Sequence, residues 1–175
     1  MSSKYLGKKG YTIKKSDISV DEQMNIRNKL RVRPYVPNSP VKGDEFEIYR
    51  ESNSKLYVPR YFGIECYGKP QQSKLPEPDK INLPFAGELR DYQKTIINAY
   101  MAKAEDGGGL LEIPCGRGKT VMALKILANL GVKTLVIVHK GFLLNQWIER
   151  IEQFLPGARV GKIQGQIMDI ENKDI

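Results

Sequence analysis

The fold of this chain is decided by residues 109–130, which read GLLEIPCGRGKTVMALKILANL. The residues up to Ile113 form a short apolar run of β-strand length, and a glycine-bearing turn then interrupts it. From Lys119 onward apolar residues return on helical spacing, and Gly131 suits the C-terminal cap of that helix. A strand, a glycine-bearing turn, Gly-Lys-Thr and a helix are the parts of a phosphate-binding loop. The alternative is an ordinary turn in which Gly-Lys-Thr occurs by chance.

The geometry of such a loop explains which residue types it needs. Gly116 and Gly118 let the backbone curl so that successive N–H groups point at phosphate oxygens, and the helix N-terminus adds partial positive charge. The Lys119 ammonium can reach the terminal phosphates, and the Thr120 hydroxyl can ligate Mg²⁺. One position departs from the usual pattern, because Ile113 stands where the first glycine would be. We therefore predict Lys119 and Thr120 as the catalytic residues, with Thr120 also as the metal ligand.

Basic residues are in excess, and the excess is uneven. The chain has 175 residues with 28 Lys+Arg, 20 Asp+Glu and a net charge of +8. The first 80 residues hold 16 of the basic and 10 of the acidic residues. A basic front half favours a polyanionic partner, and nucleic acid is the first candidate. The alternative is that this charge only keeps the protein soluble.

The composition disfavours several classes of protein. Cys66 and Cys115 are far apart and His139 is the only histidine, so the sequence offers no zinc-ligand spacing and no disulfide framework. The first residues lack the apolar core of a signal peptide, and no apolar run is long enough to span a bilayer. We therefore expect no membrane partner and an intracellular location, cytoplasmic or nuclear.

The composition changes along the chain in a way that predicts two domains. Residues 11–67 read as a small α+β domain, preceded by a loose basic arm at residues 1–10. Residues 68–84 are rich in proline and poor in apolar residues, which is typical of a linker or an ordered strap. Residues 85–175 read as an α/β domain that contains the loop.

Apolar patterning predicts the elements of both domains. In the small domain they are a strand at 11–14, a helix at 20–30, a strand at 30–36 and a hairpin of strands at 46–50 and 55–59. Ser19 or Asp17 is the predicted N-cap of the helix. The hairpin is predicted to place four apolar residues on one face, which are Phe46, Ile48, Leu56 and Val58. In the second domain they are helices at 90–103, 119–130 and 141–155 and strands at 110–113, 133–138 and 159–163. Alternating helices and strands imply a parallel sheet with helices on its faces, and the loop would lie at the carboxyl edge of that sheet.

Three blocks, in order and at sensible spacing, resemble those of superfamily 2 helicases. Residues 89–93, LRDYQ, resemble the Q-motif L-R-x-Y-Q that precedes the phosphate loop. Residues 114–120, PCGRGKT, resemble motif I, and residues 138–147, VHKGFLLNQW, resemble motif Ia, V-P-T-x-x-L-x-x-Q-W. The P-C-G-x-G-K form resembles XPB-type helicases and the related helicases of large DNA viruses. The resemblance covers residues 83 to about 166.

This resemblance implies a RecA-like fold for residues 85–175, as part of a first motor domain, with ATP and Mg²⁺ as cofactors. Gln93 would read the adenine edge through paired hydrogen bonds, with Arg90 near the base. The alternative for Gln93 is a buried amide that only caps its own helix. Lys140 would contact a nucleic-acid phosphate. The ATP-binding residues implied by the resemblance are Arg90, Gln93, Pro114, Cys115, Gly116, Arg117, Gly118, Lys119 and Thr120.

The small domain carries a second predicted contact with nucleic acid. Four basic residues lie near three tyrosines in the sequence, so that charge and base stacking together favour binding. The basic residues are Arg31, Arg33, Lys55 and Arg60, and the tyrosines are Tyr35, Tyr57 and Tyr61. The resemblance favours DNA over RNA. The alternative is a solvated basic surface over an aromatic core.

A helicase motor also needs an acidic pair that holds Mg²⁺ and an arginine finger. The resemblance implies that a second motor domain supplies the arginine finger. Asp169 and Glu171 are the late candidates for the acidic pair, but they are not adjacent and follow no apolar strand. We therefore expect the N-terminal part of a longer nucleic-acid-dependent ATPase or helicase, inactive alone, with a C-terminal motor domain as its partner. A viral source would place it in a viral factory or virion. The alternatives are a P-loop nucleotide kinase and a non-enzymatic nucleic-acid-binding adaptor.

Overall fold

The computed structural model describes residues 4–35, 37, 43–104 and 107–175. The chain divides into two compact units, Met1–Glu77 and Pro78–Ile175. Helices and short strands occur in both units, and one sheet is mixed, so the predicted α/β class is confirmed. None of the helices in the described ranges is long and apolar enough to cross a membrane.

The first unit is built on a five-stranded sheet and a separate two-stranded ladder. Its strands are β1 (Tyr5–Gly7), β2 (Gly10–Lys14), β3 (Arg31–Val32), β4 (Phe46–Glu47), β5 (Arg50–Glu51), β6 (Lys55–Val58) and β7 (Gln72–Ser73). The five-stranded sheet has the order β5-β6-β2-β1-β7, in which β1 and β7 are parallel and the other neighbours antiparallel. The two-stranded ladder pairs β3 with β4.

Two α-helices pack on one face of the five-stranded sheet. Helix α1 (Val20–Lys29) begins after Ser19, whose side chain accepts a hydrogen bond from the Glu22 amide, as predicted for this cap. Helix α2 (Arg60–Tyr67) follows Pro59 and was not predicted from the sequence. Gly63 of α2 lies so close to the ring of Tyr11 that any side chain there would collide with it.

Alternation along β2 and β6 builds the core of the first unit. Tyr11 and Ile13 on β2 are buried, and so are their cross-strand partners Val58 and Leu56 on β6. The helices cover these four residues with apolar side chains, which are Ile26, Leu30, Phe62, Ile64 and Tyr67.

The predicted loose arm is wrong for its described part. Leu6 is buried and pairs with Tyr11, so residues 5–7 form the strand β1. Residues 1–3 of the arm lie outside the described residues. The strand predicted at 30–36 is limited to β3, and Val36 also lies outside the described residues.

The predicted hairpin forms, but its first strand has a different register. Only β5 pairs with β6, whereas Phe46 in β4 pairs with Val32 in β3. The break between β4 and β5 shifts the alternation, so Phe46 and Ile48 are exposed while Tyr49 enters the core.

The described residues of the second unit include three helices. They are α3 (Asp91–Met101), α4 (Lys119–Leu130) and α5 (Gly141–Phe154), close to the predicted bounds. Helix α4 lies between the other two. Its Met122 and Ile126 pack with Ile97 of α3, and its Leu124 and Leu127 pack in a cluster on the side of α5 that contains Ile151 and Leu155.

The predicted parallel sheet is not present in the described part of the second unit. Residues 110–113 and 133–138 belong to no strand ladder, and Leu110, Leu135 and Ile137 are exposed. The backbone amides of Lys133 and Thr134 instead donate to carbonyls at Asp79 and Asp174. The two strands of this unit in the described ranges, β8 (Lys162–Gln164) and β9 (Ile167–Asp169), pair with each other as an antiparallel hairpin. Apolar strands of the parallel type need neighbours along both edges, and these segments lack them.

The predicted linker is ordered on both sides of the boundary between the units. Strand β7 joins the sheet of the first unit. In the second unit, the Ile81 amide donates to the Gly131 carbonyl at 2.9 Å, Lys80 bridges to Val132, and Leu83 is buried beside α4 and α5. Residues 78–84 therefore form an ordered strap against the second unit.

Candidate functional site

The predicted phosphate loop has a backbone that glycine alone adopts readily. Gly116 and Gly118 have φ of 76° and 79°, in the left-handed region. Gly118 is the N-cap of α4 and passes directly from the left-handed conformation into the right-handed helix. This order of conformations turns successive backbone N–H groups toward one point and makes a concave site for an anion.

The first turn of α4 offers unused hydrogen-bond donors. The backbone N–H groups of Gly118, Lys119 and Thr120 donate to no acceptor within the described ranges, and no side chain caps the helix. The dipole of a helix of 12 residues adds partial positive charge at the same place. Donors and dipole together fit a phosphate group.

The Lys119 ammonium lies back over the start of its own loop. Its Nζ donates to the carbonyl oxygens of Ile113 at 3.1 Å and Pro114 at 3.3 Å, and it lies 3.9 Å from the Cys115 sulfur. The side chain is exposed, so it can turn from these carbonyls toward a bound phosphate. Thr120 follows in the first helical turn and is half-buried.

Gln93 connects α3 to the loop. This amide is only 6% exposed, and its Oε1 accepts a hydrogen bond from the Arg90 amide at 3.0 Å. Its Nε2 donates to the Arg117 carbonyl at 3.2 Å. A Cβ at Gly118 would lie 2.5 Å from that Nε2, so the close approach adds a second requirement for glycine. Gln93 therefore caps its helix, which is the alternative considered from the sequence, and it also holds the loop.

Tyr92 is a further supporting residue that sequence reasoning left without a role. The Tyr92 hydroxyl donates to the Arg117 carbonyl at 3.1 Å, and the Arg117 guanidinium lies 5.8 Å from the centre of the Tyr92 ring. Its position beside Gln93 in the LRDYQ block could have predicted this role, because neighbouring residues at the start of a helix can contact the same loop.

Two of the predicted nucleic-acid contacts in the first unit are paired with carboxylates. Arg31 pairs with Glu47 at 2.8 Å, and its guanidinium holds the pKa of that carboxyl below the usual range. Arg33 pairs with Glu45 at 2.9 Å. Arg60 is the first residue of α2, with its guanidinium 5.8 Å from the Tyr61 ring. Lys140 is exposed as the N-cap of α5 in the second unit.

The predicted metal ligand stands without acidic neighbours that would form a metal site. In the described part of the chain, no three His, Cys, Asp or Glu residues are grouped for a metal ion. The Thr120 hydroxyl, next to the unused donors of the loop, fits a Mg²⁺ ion that is held mainly by phosphate oxygens and water.

Comparison with known proteins identifies the family. The profile of the family described as "Type III restriction enzyme, res subunit" matches residues 86–175, and the chain belongs to this family. The match begins just before α3 and includes the loop, α4 and α5.

Individual relatives agree with this assignment. The chain is 31% identical over 170 residues to the "Putative ATP-dependent RNA helicase L396" of Acanthamoeba polyphaga mimivirus, which covers 93% of the chain and 33% of the relative. It is 41% identical over 101 residues to the DNA 3'-5' translocase XPB2 of Sulfurisphaera tokodaii, covering 55% and 22%. It is 29% identical over 85 residues to the DNA 3'-5' helicase XPB of Mycobacterium tuberculosis, covering 47% and 15%.

These matches confirm the predicted resemblance to XPB-type helicases and to helicases of large DNA viruses. The chain spans a third or less of the length of these relatives.

Proposed function

We propose that this chain serves in a nucleic-acid-dependent ATPase of the helicase class, in which ATP hydrolysis drives movement along or unwinding of nucleic acid. The observation that carries the proposal is the loop at Gly116–Thr120, with its unused amide donors at the start of α4 and its two supports on α3. The family and the relatives' names support the same class. The chain spans only part of each relative's length, so the proposed activity is that of the whole protein.

The loop residues have separate tasks in holding ATP. The amides of Gly118, Lys119 and Thr120 bind phosphate oxygens, and the Lys119 ammonium leaves the carbonyls of Ile113 and Pro114 to neutralise the terminal phosphates. A Mg²⁺ ion held by the Thr120 hydroxyl and by phosphate oxygens would supply further charge neutralisation. Gln93 and Tyr92 hold the Arg117 carbonyl so that the loop keeps its shape.

The contact with nucleic acid is proposed at Lys140 and at the basic first unit. Lys140 precedes α5 within the block that resembles motif Ia, and its exposed ammonium suits a phosphate. DNA is favoured as the substrate because two of the relatives described above are named as DNA translocases or helicases and one as an RNA helicase. Residues 85–175 are proposed to form part of a RecA-like motor domain.

The test is ATP hydrolysis by the whole protein with and without single-stranded DNA. We expect stimulation by DNA and a loss of turnover in Lys119→Ala, because no other residue in the loop places an ammonium at the terminal phosphates. Lys125→Ala is the matched control, because Lys125 lies further along α4 with its ammonium 5.4 Å from the Phe85 ring. Turnover in Lys119→Ala within a few-fold of wild type would remove the loop from the mechanism. Hydrolysis that nucleic acid does not affect would contradict the proposed nucleic-acid dependence, and transfer of the terminal phosphoryl group to an added nucleotide instead of to water would favour a nucleotide kinase.

A further inference from the structure

The five-stranded sheet has a second face, opposite its two helices, that carries no residue of the phosphate loop and none of Arg31, Arg33 and Arg60. A row of paired residues crosses all five strands on this face, and its members are Gln72, Tyr5, Thr12, Tyr57 and Arg50. We call this surface the tyrosine face. Thr12 is buried in the centre, with a half-buried tyrosine on the strand at either side.

Lysine ammonium groups surround the two tyrosine rings. The Lys74 Nζ lies 4.2 Å from the centre of the Tyr5 ring, and the Lys9 Nζ lies 5.0 Å from the centre of the Tyr57 ring. Lys55 donates a hydrogen bond to the Tyr5 hydroxyl at 3.3 Å, and this bond lowers the pKa of the phenol. Positive charge is thus concentrated around aromatic rings.

Acidic side chains are directed away from the tyrosine face. Among the five strands of this sheet, all of them described, Glu51 is the one acidic residue, and its pairing with Leu56 places it on the helix side. There it binds Lys15 at 2.7 Å and Arg27 at 2.9 Å. By contrast, Lys9, Lys55 and Lys74 lie within salt-bridge distance of no carboxylate in the described part of the chain, and the same holds for Arg50.

We propose that the tyrosine face binds a single strand of nucleic acid. Bases would stack on the rings of Tyr5 and Tyr57, and phosphates would be held by the cations around them, which are Lys9, Arg50, Lys55 and Lys74.

The chemistry of the face favours a single strand over a duplex or a lipid surface. Stacking on tyrosine requires bases whose flat faces are free, and a duplex hides those faces within its own stack. A lipid surface would need apolar side chains that insert, whereas the row across this sheet has two half-buried tyrosines among polar residues. An ammonium over a tyrosine ring that is partly open to solvent makes a weak contact, so the lysines are free to exchange the rings for phosphates.

This inference deepens the proposed function, because it names a second contact for the same nucleic acid. The proposed ATPase function and the proposed tyrosine face can fail separately. Loss of nucleotide binding in Lys119→Ala tests the loop alone, whereas binding of an oligonucleotide in the absence of nucleotide tests the tyrosine face.

The first test is fluorescence anisotropy of a labelled oligothymidylate titrated with the 175-residue chain. Tyr57→Ala is expected to weaken binding at least about fivefold, because one stacked base is lost. Tyr57→Phe keeps the ring and is expected to bind like wild type. Thermal unfolding of each variant shows that the sheet is intact.

The second test uses the salt dependence of the same binding. The double variant Lys9→Gln, Lys74→Gln is expected to reduce the slope of log K against log salt by about 0.7 for each lysine removed. The double variant Lys29→Gln, Lys94→Gln removes the same charge from two helices and is expected to keep the wild-type slope. Arg31→Gln with Arg33→Gln is expected to have a smaller effect than the tyrosine-face double variant, because carboxylates already pair with both arginines.

Two outcomes would overturn the proposal. One is wild-type affinity for oligothymidylate in both Tyr57→Ala and the Lys9, Lys74 double variant. The other is that these variants lose binding to vesicles containing phosphatidylserine while they keep oligothymidylate binding, which would assign the face to a membrane surface.

Discussion

At the scale of single residues, the loop depends on side chains that support it from outside. The sequence identified Gly116, Gly118 and Lys119 through spacing alone, because the backbone of such a loop leaves few alternatives. It did not show that Gln93 and the loop are joined, since a hydrogen bond between residues 24 positions apart leaves no periodic pattern. A contact of Gln93 with the adenine is implied by the resemblance alone, while its contact with the Arg117 carbonyl is a feature of the structure.

Replacing Gln93 separates these two roles. In Gln93→Ala the helix loses its cap acceptor and the loop loses one of its supports, at a cost of roughly 1 kcal/mol for each hydrogen bond. We expect ATP and inorganic triphosphate to bind more weakly by similar factors, measured by calorimetry, because the phosphate site itself is disturbed. Gln146→Ala, on the exposed side of α5, is the control. A loss confined to ATP would assign the amide to the adenine instead.

At the scale of elements, helices were predicted more accurately than strands. Helices α1, α4 and α5 follow from local signals, which are the Ser19 cap, the Gly131 cap and apolar spacing. Strands depend on partners that are distant in sequence, and apolar runs such as 133–138 do not show which partner they have. The register of β4 and β5 was missed for the same reason.

The ion pair between Arg159 and Asp174 makes the stability of the second unit depend on pH. Asp174 is 6% exposed and accepts hydrogen bonds from the side chain and the amide of Arg159, which lower the pKa of Asp174 to about 2. Because the folded pKa lies below the unfolded one, this contribution is present above about pH 4 and is lost as the pH falls toward about 2. We expect thermal unfolding of Asp174→Asn to show a lower midpoint at neutral pH and a weaker decline with acid. A decline as steep as that of wild type would exclude this ion pair as its cause. Asp91→Asn, at an exposed ion pair, is the control.

At the scale of the whole chain, composition predicted two domains separated by residues 68–84, and the division between the two units falls within that stretch, after Glu77. The proline-rich stretch was expected to separate two domains, yet its two parts are ordered within different units. Proline content indicates where helices stop, and it does not exclude packing of an extended chain.

Exposed apolar segments predict that the 175-residue chain self-associates. Leu110 is 92% exposed, Leu135 70% and Ile137 84%, all in segments that belong to no strand ladder. Sedimentation velocity is expected to show association that rises with concentration and that decreases in Leu135→Lys with Ile137→Lys. Met24→Lys, at an exposed position of α1, should leave it unchanged. A chain that stays monomeric at all concentrations would contradict this expectation.

Residues 116–120 are proposed to hold the phosphates of ATP, and equilibrium binding of ATP is the decisive test of this site. The measurement is a calorimetric titration of the 175-residue chain with ATP and Mg²⁺, repeated for Lys119→Ala and Lys125→Ala. We predict weak but saturable binding to wild type and to Lys125→Ala, and none to Lys119→Ala. Equal binding by wild type and Lys119→Ala, or no binding by any of the three, would show that residues 116–120 do not hold ATP.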